Sequence, residues 1–394
     1  MTEHVIGIDA WEALDSRALP TVGCTVHVSG GGTGTALAPA GASTGQFEAT
    51  VLRDGESRFG GNGTSQAVEM IVGKYREILI GSPVHEVDAL LSGPTNVTLP
   101  ISLATVRATA DARRLPLWRH LAEIHHEHPV LPCPMVNIFS GGRHAEGGGI
   151  IQDFLAVPLS ASTFAEAVEI VWRVRARAAE LVANRYGRLS AALVADEGGL
   201  AVPDGSDSTA IEMLSQAIVD CGVDAGIAID VAATQVAEPA RLVDMLADWI
   251  DQFPIVSIED PMGDDDVDGW KLAASRLGHI QLVGDDYYAT NPDRIRNSIG
   301  TDTANAVLIK CDQIGTISKA REAMDVARDA GMRTVISARS GDTEDASLAD
   351  LGVGWNAGQI KIGSLTRSER LAKYNRLLQL ESIEHLSYAG WPHS

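Results

Sequence analysis

Six short apolar runs, each ending in a charged side chain, recur between residues 227 and 363. They read IAID (227–230), IVSIED (255–260), QLVGDD (281–286), AVLIK (306–310), TVISARS (334–340) and GQIKIG (358–363). The charged ends are Asp230, Glu259, Asp285, Lys310, Arg339 and Lys361, spaced 22 to 29 residues apart. Helix-like segments such as ARLVDMLADWIDQF (240–253) and TISKAREAMDVARDAG (316–331) lie between them. Repeated β-α units at this spacing have the rhythm of a (β/α)8-type barrel. The chain is therefore expected to be α/β.

In such a barrel the strand C-termini meet at one mouth, where active sites sit. Three successive ends carry carboxylates, and the next three carry Lys, Arg and Lys. Three acids converging without a cation would repel and raise one another's pKa. A hard divalent cation resolves this, and oxygen ligands point to Mg2+ held by Asp230, Glu259 and Asp285. Lys310, on the strand after these acids, is placed to take a proton from a carbon beside a carboxylate. Neighbouring cations would depress its pKa toward neutrality. The competing reading makes Lys310 an ion-pair partner of Asp285.

Glu197 lies with Asp196 in ALVADEGGLAVP (192–203), read as a strand end before a Gly-Gly turn. An acid there could protonate a leaving hydroxyl, with Asp153 and His144 supporting it by hydrogen bonds. Gln152, beside Asp153, is a candidate substrate contact. Arg339 and Ser340 form a candidate anion clamp, because a guanidinium grips phosphate in two places. Lys361 could hold a second anionic group. The substrate inferred is a small acid with two anionic groups, one of them phosphate, and a β-hydroxyl.

The chain of 394 residues suits a barrel plus a smaller unit. Its formal charge of -21 argues against nucleic acid or an anionic membrane as partner. The four cysteines show no close pairing, which suggests reduced thiols and a cytoplasmic setting. No run reaches the length of a membrane span.

Residues 1–60 read as a three-stranded antiparallel meander, followed by helices over 64–80 and 101–125. This gives an N-terminal α+β capping domain over 1–130 and a barrel domain over 131–394. Within the cap, APAGASTGQFEA (38–49) is either a surface loop or a lid whose Ser43 reaches a metal or phosphate. HHEHP (125–129) reads as a solvated linker rather than a metal tract. A terminal helix is expected over 366–383.

Nearly end to end the chain resembles the enolase family. The matching stretches include GASTG (41–45), LRDG (52–55), DEGG (196–199), FPIVSIED (253–260), QLVGDD (281–286), RSG.TED (339–345), GQIK.G (358–363) and RSERLAKYN (367–375). The resemblance implies a capping domain on a barrel, a homodimer or higher homo-oligomer, and Mg2+-dependent interconversion of 2-phosphoglycerate and phosphoenolpyruvate. By position it implies Asp230, Glu259 and Asp285 as ligands of a tightly bound Mg2+. Ser43 would be a ligand of a second ion arriving with substrate. Lys310 would be the base and Glu197 the acid. Arg339 and Ser340 would bind phosphate, and Lys361 would be the lysine on the carboxylate side.

The departures from the family pattern are Ala338 for His, Asp153 for Glu, Ile362 for Thr, and GGRHAEGGG with Arg143. Ala338 opens space, and Arg143 brings a cation toward the mouth. Besides a working enolase, the chain could be a specialised paralogue in phosphonate antibiotic biosynthesis, a carboxyphosphonoenolpyruvate synthase. The third alternative is a catalytically weak binding protein. The intact acids and Lys310 argue against that one, since a buried charge cluster is costly to keep.

Overall fold

The computed structural model describes residues 3–41, 45–55, 57–236 and 239–392. Strands β1 (Val5–Leu14), β2 (Pro20–Val28) and β3 (Thr33–Leu37) form an antiparallel sheet in that order. One face of the sheet packs on the helix Thr95–Ala112, which begins before the expected residue 101. The helical stretch is broken between Ala112 and Leu117 and resumes over Leu117–His125. Pro116 stands just before this second helix, where a missing backbone N–H costs nothing.

Eight strands close into a barrel in the order β10-β11-β4-β5-β6-β7-β8-β9. They are β4 (Cys133–Ser140), β5 (Asp153–Pro158), β6 (Ala225–Asp230), β7 (Ile255–Glu259), β8 (Gln281–Gly284), β9 (Ala306–Ile309), β10 (Arg333–Ser337) and β11 (Gln359–Gly363). The regular β-α rhythm fails once, because β5 runs antiparallel to both β4 and β6. The loop between β4 and β5 holds no crossover helix of the kind a parallel pair needs. The reversal brings the first residue of β5, Asp153, to the end of the barrel where its neighbours finish.

The helices after the strands start at side-chain caps. Thr163, Ser206 and Thr316 each accept a hydrogen bond from the backbone N–H three residues on. The barrel floor is apolar, filled by Met135, Leu155, Val157, Val283, Leu308 and Val335, with Trp391 from the C-terminal tail packed among them. Gln281, Gln359 and Ser257 add a buried hydrogen-bonded set in which the two amides exchange bonds of 2.9 Å.

HHEHP is only partly the solvated linker expected: His125 ends the helix and packs against Trp355, and Glu127 in the connection beyond it is pinned. Its carboxylate accepts from Arg321 and Arg328, both at 2.7 Å. Asp196 and Glu197 do not end a strand. They sit in a tight turn closed by the bridge between Val194 and Leu200. No helix among the described residues is long and apolar enough to cross a membrane.

Candidate active site

Strand register assembles the mouth. Ser140 pairs with Asp153, Asp153 with Asp230, and Asp230 with Glu259, so four polar side chains form one row across four strands. Asp285 and Lys310 follow directly on β8 and β9, Arg339 and Ser340 follow β10, and Lys361 lies on β11. One cavity is lined by His144, Gln152, Glu197, Asp230, Asp285, Lys310, Arg339, Ser340 and Lys361. Its free volume is about 40 Å3, room for roughly three waters. Most of the expected site residues thus share one small chamber, with three qualifications. Glu259 and Asp153 are buried and do not line it, and Ser43 lies outside the described residues.

The cations already hold the acids. Lys361 Nζ donates to Asp230 Oδ2 and Glu259 Oε2, both at 2.7 Å. Gln152 Nε2 donates to Asp230 Oδ2 at 3.2 Å. Lys310 Nζ is ion-paired with Asp285 Oδ2, while Gln313 Nε2 donates to Asp285 Oδ1 at 2.8 Å. The expected ligand trio is therefore split, with Lys361 between two of its members and Lys310 on the third. Ion-paired in this way, Lys310 has its pKa raised rather than lowered. Burial is the largest influence and pulls it down, but Asp285 beside the amine, joined by Glu259, leaves the net shift upward.

Do these residues fit a divalent cation? Glu259 Oε1 is buried with no hydrogen-bond partner. Burial, and then the charge of Asp230, push the Glu259 carboxyl well above the ordinary range. An orphaned carboxylate oxygen among like charges is what a hard cation satisfies. A different acidic group, Asp260, Asp285 and Asp286, has its oxygens within 4.8 Å of one another, whereas Asp230, Glu259 and Asp285 do not form such a cluster. However, Asp260 spends both oxygens on the backbone N–H groups of Asp285 (2.9 Å) and Asp286 (2.7 Å). Asp260 is a scaffold for the loop that carries Asp285, which leaves Glu259 Oε1 as the unpartnered oxygen a cation would satisfy.

On the other wall, His144, Asp153 and Glu197 have polar atoms within 4.8 Å of one another. His144 Nδ1 is 2.9 Å from Asp153 Oδ2, and Asp153 Oδ1 accepts from Ser140 Oγ at 2.9 Å and from Asn137. Burial is the largest influence and lowers the His144 pKa, yet Asp153, with Glu197 and Asp230, lifts the imidazole to about 9. His144 and Asp153 thus form a buried, hydrogen-bonded pair beside the acid.

Several partners were not foreseen. Arg339 is held by Glu48, at 3.1 Å, and by Asp312. Glu48 belongs to the 38–49 stretch, so the described end of that stretch is tied to the mouth. Gln46 adds a bond of 3.1 Å to Asp264, and Phe47 lies under the Arg294 guanidinium. The charged residue closing GASTGQFE was the one available sign. Arg143, expected near the mouth, is exposed and absent from the lining. Its place at the tip of the β4–β5 loop turns it to solvent.

An α/β barrel with this mouth defines an enolase-superfamily carbon–oxygen lyase. Comparison with known proteins agrees. The family model "Enolase, N-terminal domain" matches residues 5–121, and "Enolase, C-terminal TIM barrel domain" matches 128–238 and 233–392. A protein named Enolase from Acidothermus cellulolyticus is 42% identical over 415 residues, spanning 97% of this chain and 96% of its own. The chain belongs to the enolase family.

Proposed function

We propose that the chain dehydrates 2-phosphoglycerate to phosphoenolpyruvate, reversibly and with Mg2+. The observation that carries this reading is a single chamber holding Lys310 and Glu197 together with Lys361, Arg339 and Ser340. Arg339 and Ser340 bind the phosphate, exchanging part of the Glu48 contact for it. Lys361 and Gln152 orient the carboxylate end. Lys310 takes the C2 proton, and the electron pair of that bond forms the C2–C3 double bond. Glu197 gives a proton to the departing C3 hydroxyl, which leaves as water. His144 and Asp153 fix the side chain of Glu197 for that transfer.

Asp230, Glu259 and Asp285 would hold Mg2+, which when bound would supply positive charge to the substrate carboxylate; Lys310 acts as the base once Asp285 no longer pairs with it. Ser43 is proposed as a ligand of a second ion, and the protein as a homo-oligomer in the cytoplasm. The division into a cap (1–130) and a barrel unit (131–394) belongs to the same reading.

A second reading is a specialised paralogue acting on a larger phosphoryl acid, as a carboxyphosphonoenolpyruvate synthase does. Ala338 favours it. This small side chain lines the mouth and also an adjoining cavity of about 50 Å3 walled by Leu37, Leu99, Leu103 and Leu348. One assay separates the readings: phosphoenolpyruvate formed from 2-phosphoglycerate with Mg2+. Turnover near that of a housekeeping enolase excludes the specialised paralogue, and no turnover removes the first reading.

A further inference from the structure

The motif RSERLAKYN (367–375) has no part in the chemistry above. It opens the last helix, Ser368–Glu384, and sends two cations inward. Arg370 is 0% exposed and Lys373 is 1% exposed. Lys373 Nζ donates to Asp342 Oδ1 at 3.0 Å and to the carbonyl of Thr343 at 2.6 Å. Arg370 reaches closer to the mouth. Its Nη1 donates to the carbonyls of Arg339 (2.7 Å) and Ile362 (3.1 Å), and its Nη2 to that of Ser340 (2.6 Å). Glu197 Oε1 stands 4.0 Å from Nη1.

One guanidinium therefore holds the backbone of both anion-clamp residues and of the residue after Lys361, and it flanks the acid. The path is kept open by Gly363, whose φ is +111°. A Cβ there would lie 2.9 Å from the Glu197 carbonyl oxygen and 3.0 Å from Arg370 Cδ. That same Glu197 carbonyl accepts from Ser364 N–H at 2.8 Å, which ties the acid's backbone to the end of β11.

A buried guanidinium is costly unless its donors are used. Here both Nη groups are spent on three carbonyls from two different strand ends, while Nε is buried without a hydrogen-bond partner; a planar fork covers that spread and a lysine ammonium does not. Helix geometry alone does not require this. Arg376, on the same helix, simply pairs with Asp350 at 2.7 Å near the surface.

We propose that Arg370 is a positioning residue that sets the phosphate clamp and the acid Glu197 at a fixed separation. This rests on the proposed dehydration. Its action is through Arg339, Ser340 and Glu197, without touching substrate.

The test compares R370K with R376Q and the wild-type protein, each checked for fold by circular dichroism. Three quantities are read: the dissociation constant of phosphoenolpyruvate, C2-hydrogen exchange in D2O at saturating 2-phosphoglycerate, and overall elimination. In R370K, binding is expected to weaken about tenfold and elimination to fall about a hundredfold, while exchange stays within about threefold. R376Q leaves all three unchanged. A structural role alone would lower exchange and elimination in proportion, and that outcome overturns the proposal, as does an R370K protein that matches wild type. If R370K does not fold, G363A decides by the same three readings. A wild-type protein that binds phosphoenolpyruvate without turnover sinks the proposed function, while the binding arm still judges Arg370. A wild-type protein that does not bind it overturns both.

Discussion

Lys310 and Lys361 are both amines buried among carboxylates, and their partners separate their roles. Lys361 bridges two acids that flank the barrel axis. Lys310 meets one acid, Asp285, whose other oxygen is already occupied by Gln313. Withdrawing Asp285 thus frees Lys310, whereas Lys361 keeps charged neighbours whichever acid moves. Lys310→Ala is expected to cut C2-hydrogen exchange by roughly a thousandfold, within the range for a lost general base. Mg2+ affinity measured by calorimetry should change little, since no proposed ligand is removed. Exchange that persists in this variant would move the base elsewhere. These residues were legible in the sequence because each closes a strand, and the strands repeat. Glu48 and Asp312 were not, because their link to Arg339 joins segments 291 and 27 residues apart with no periodicity between them.

At the scale of elements, strands were easier to read than the connections between them. Short β-branched runs bounded by turns announce themselves locally, and all six runs between 227 and 363 became barrel strands. The direction of β5 did not, since a strand's polarity within a sheet depends on what the neighbouring loop can span. The tight seam between β3 and the helix Thr95–Ala112 was equally hidden, although glycines mark it. At Gly34 a Cβ would lie 2.1 Å from the Ala104 carbonyl oxygen and 2.4 Å from the Ala108 nitrogen. Both neighbours are helix backbone and cannot step aside as a side chain would. Gly34→Ala should cost about 1–3 kcal/mol by overpacking, read as a lower denaturation midpoint with an unchanged slope. An unaltered midpoint would mean that sheet and helix are free to separate.

The whole molecule depends on how the N-terminal helices seat on the barrel's outer helices. Alongside the apolar core that runs from Leu99, Trp118 and Leu121 to Ile317, Leu351 and Trp355, that seam holds histidines. His120 is 3% exposed, and its Nδ1 has no hydrogen-bond partner. Burial, and then the nearby Arg113, depress its pKa to about 4, and burial and Arg321 do the same to His125. Both are therefore neutral in the folded chain over a range where the unfolded chain has begun to protonate them. Above the unfolded value, near 6.5, neither state carries the charge and nothing is lost. As pH falls from about 6.5 to about 4, the unfolded state gains protons that the folded state refuses, so stability drops. Below about 4 both states are protonated, and this contribution levels off. Allowing for partial solvent screening, each histidine accounts for on the order of 1–2 kcal/mol of that decline. His120→Leu removes the titrating group without orphaning a partner. Its melting temperature should fall less than that of wild type between pH 7 and pH 4.5, by a few degrees. Carboxylates elsewhere titrate in both proteins, so only the difference between the two curves reports on His120. Curves that run parallel across this window would show that the seam opens before the histidine is asked to charge.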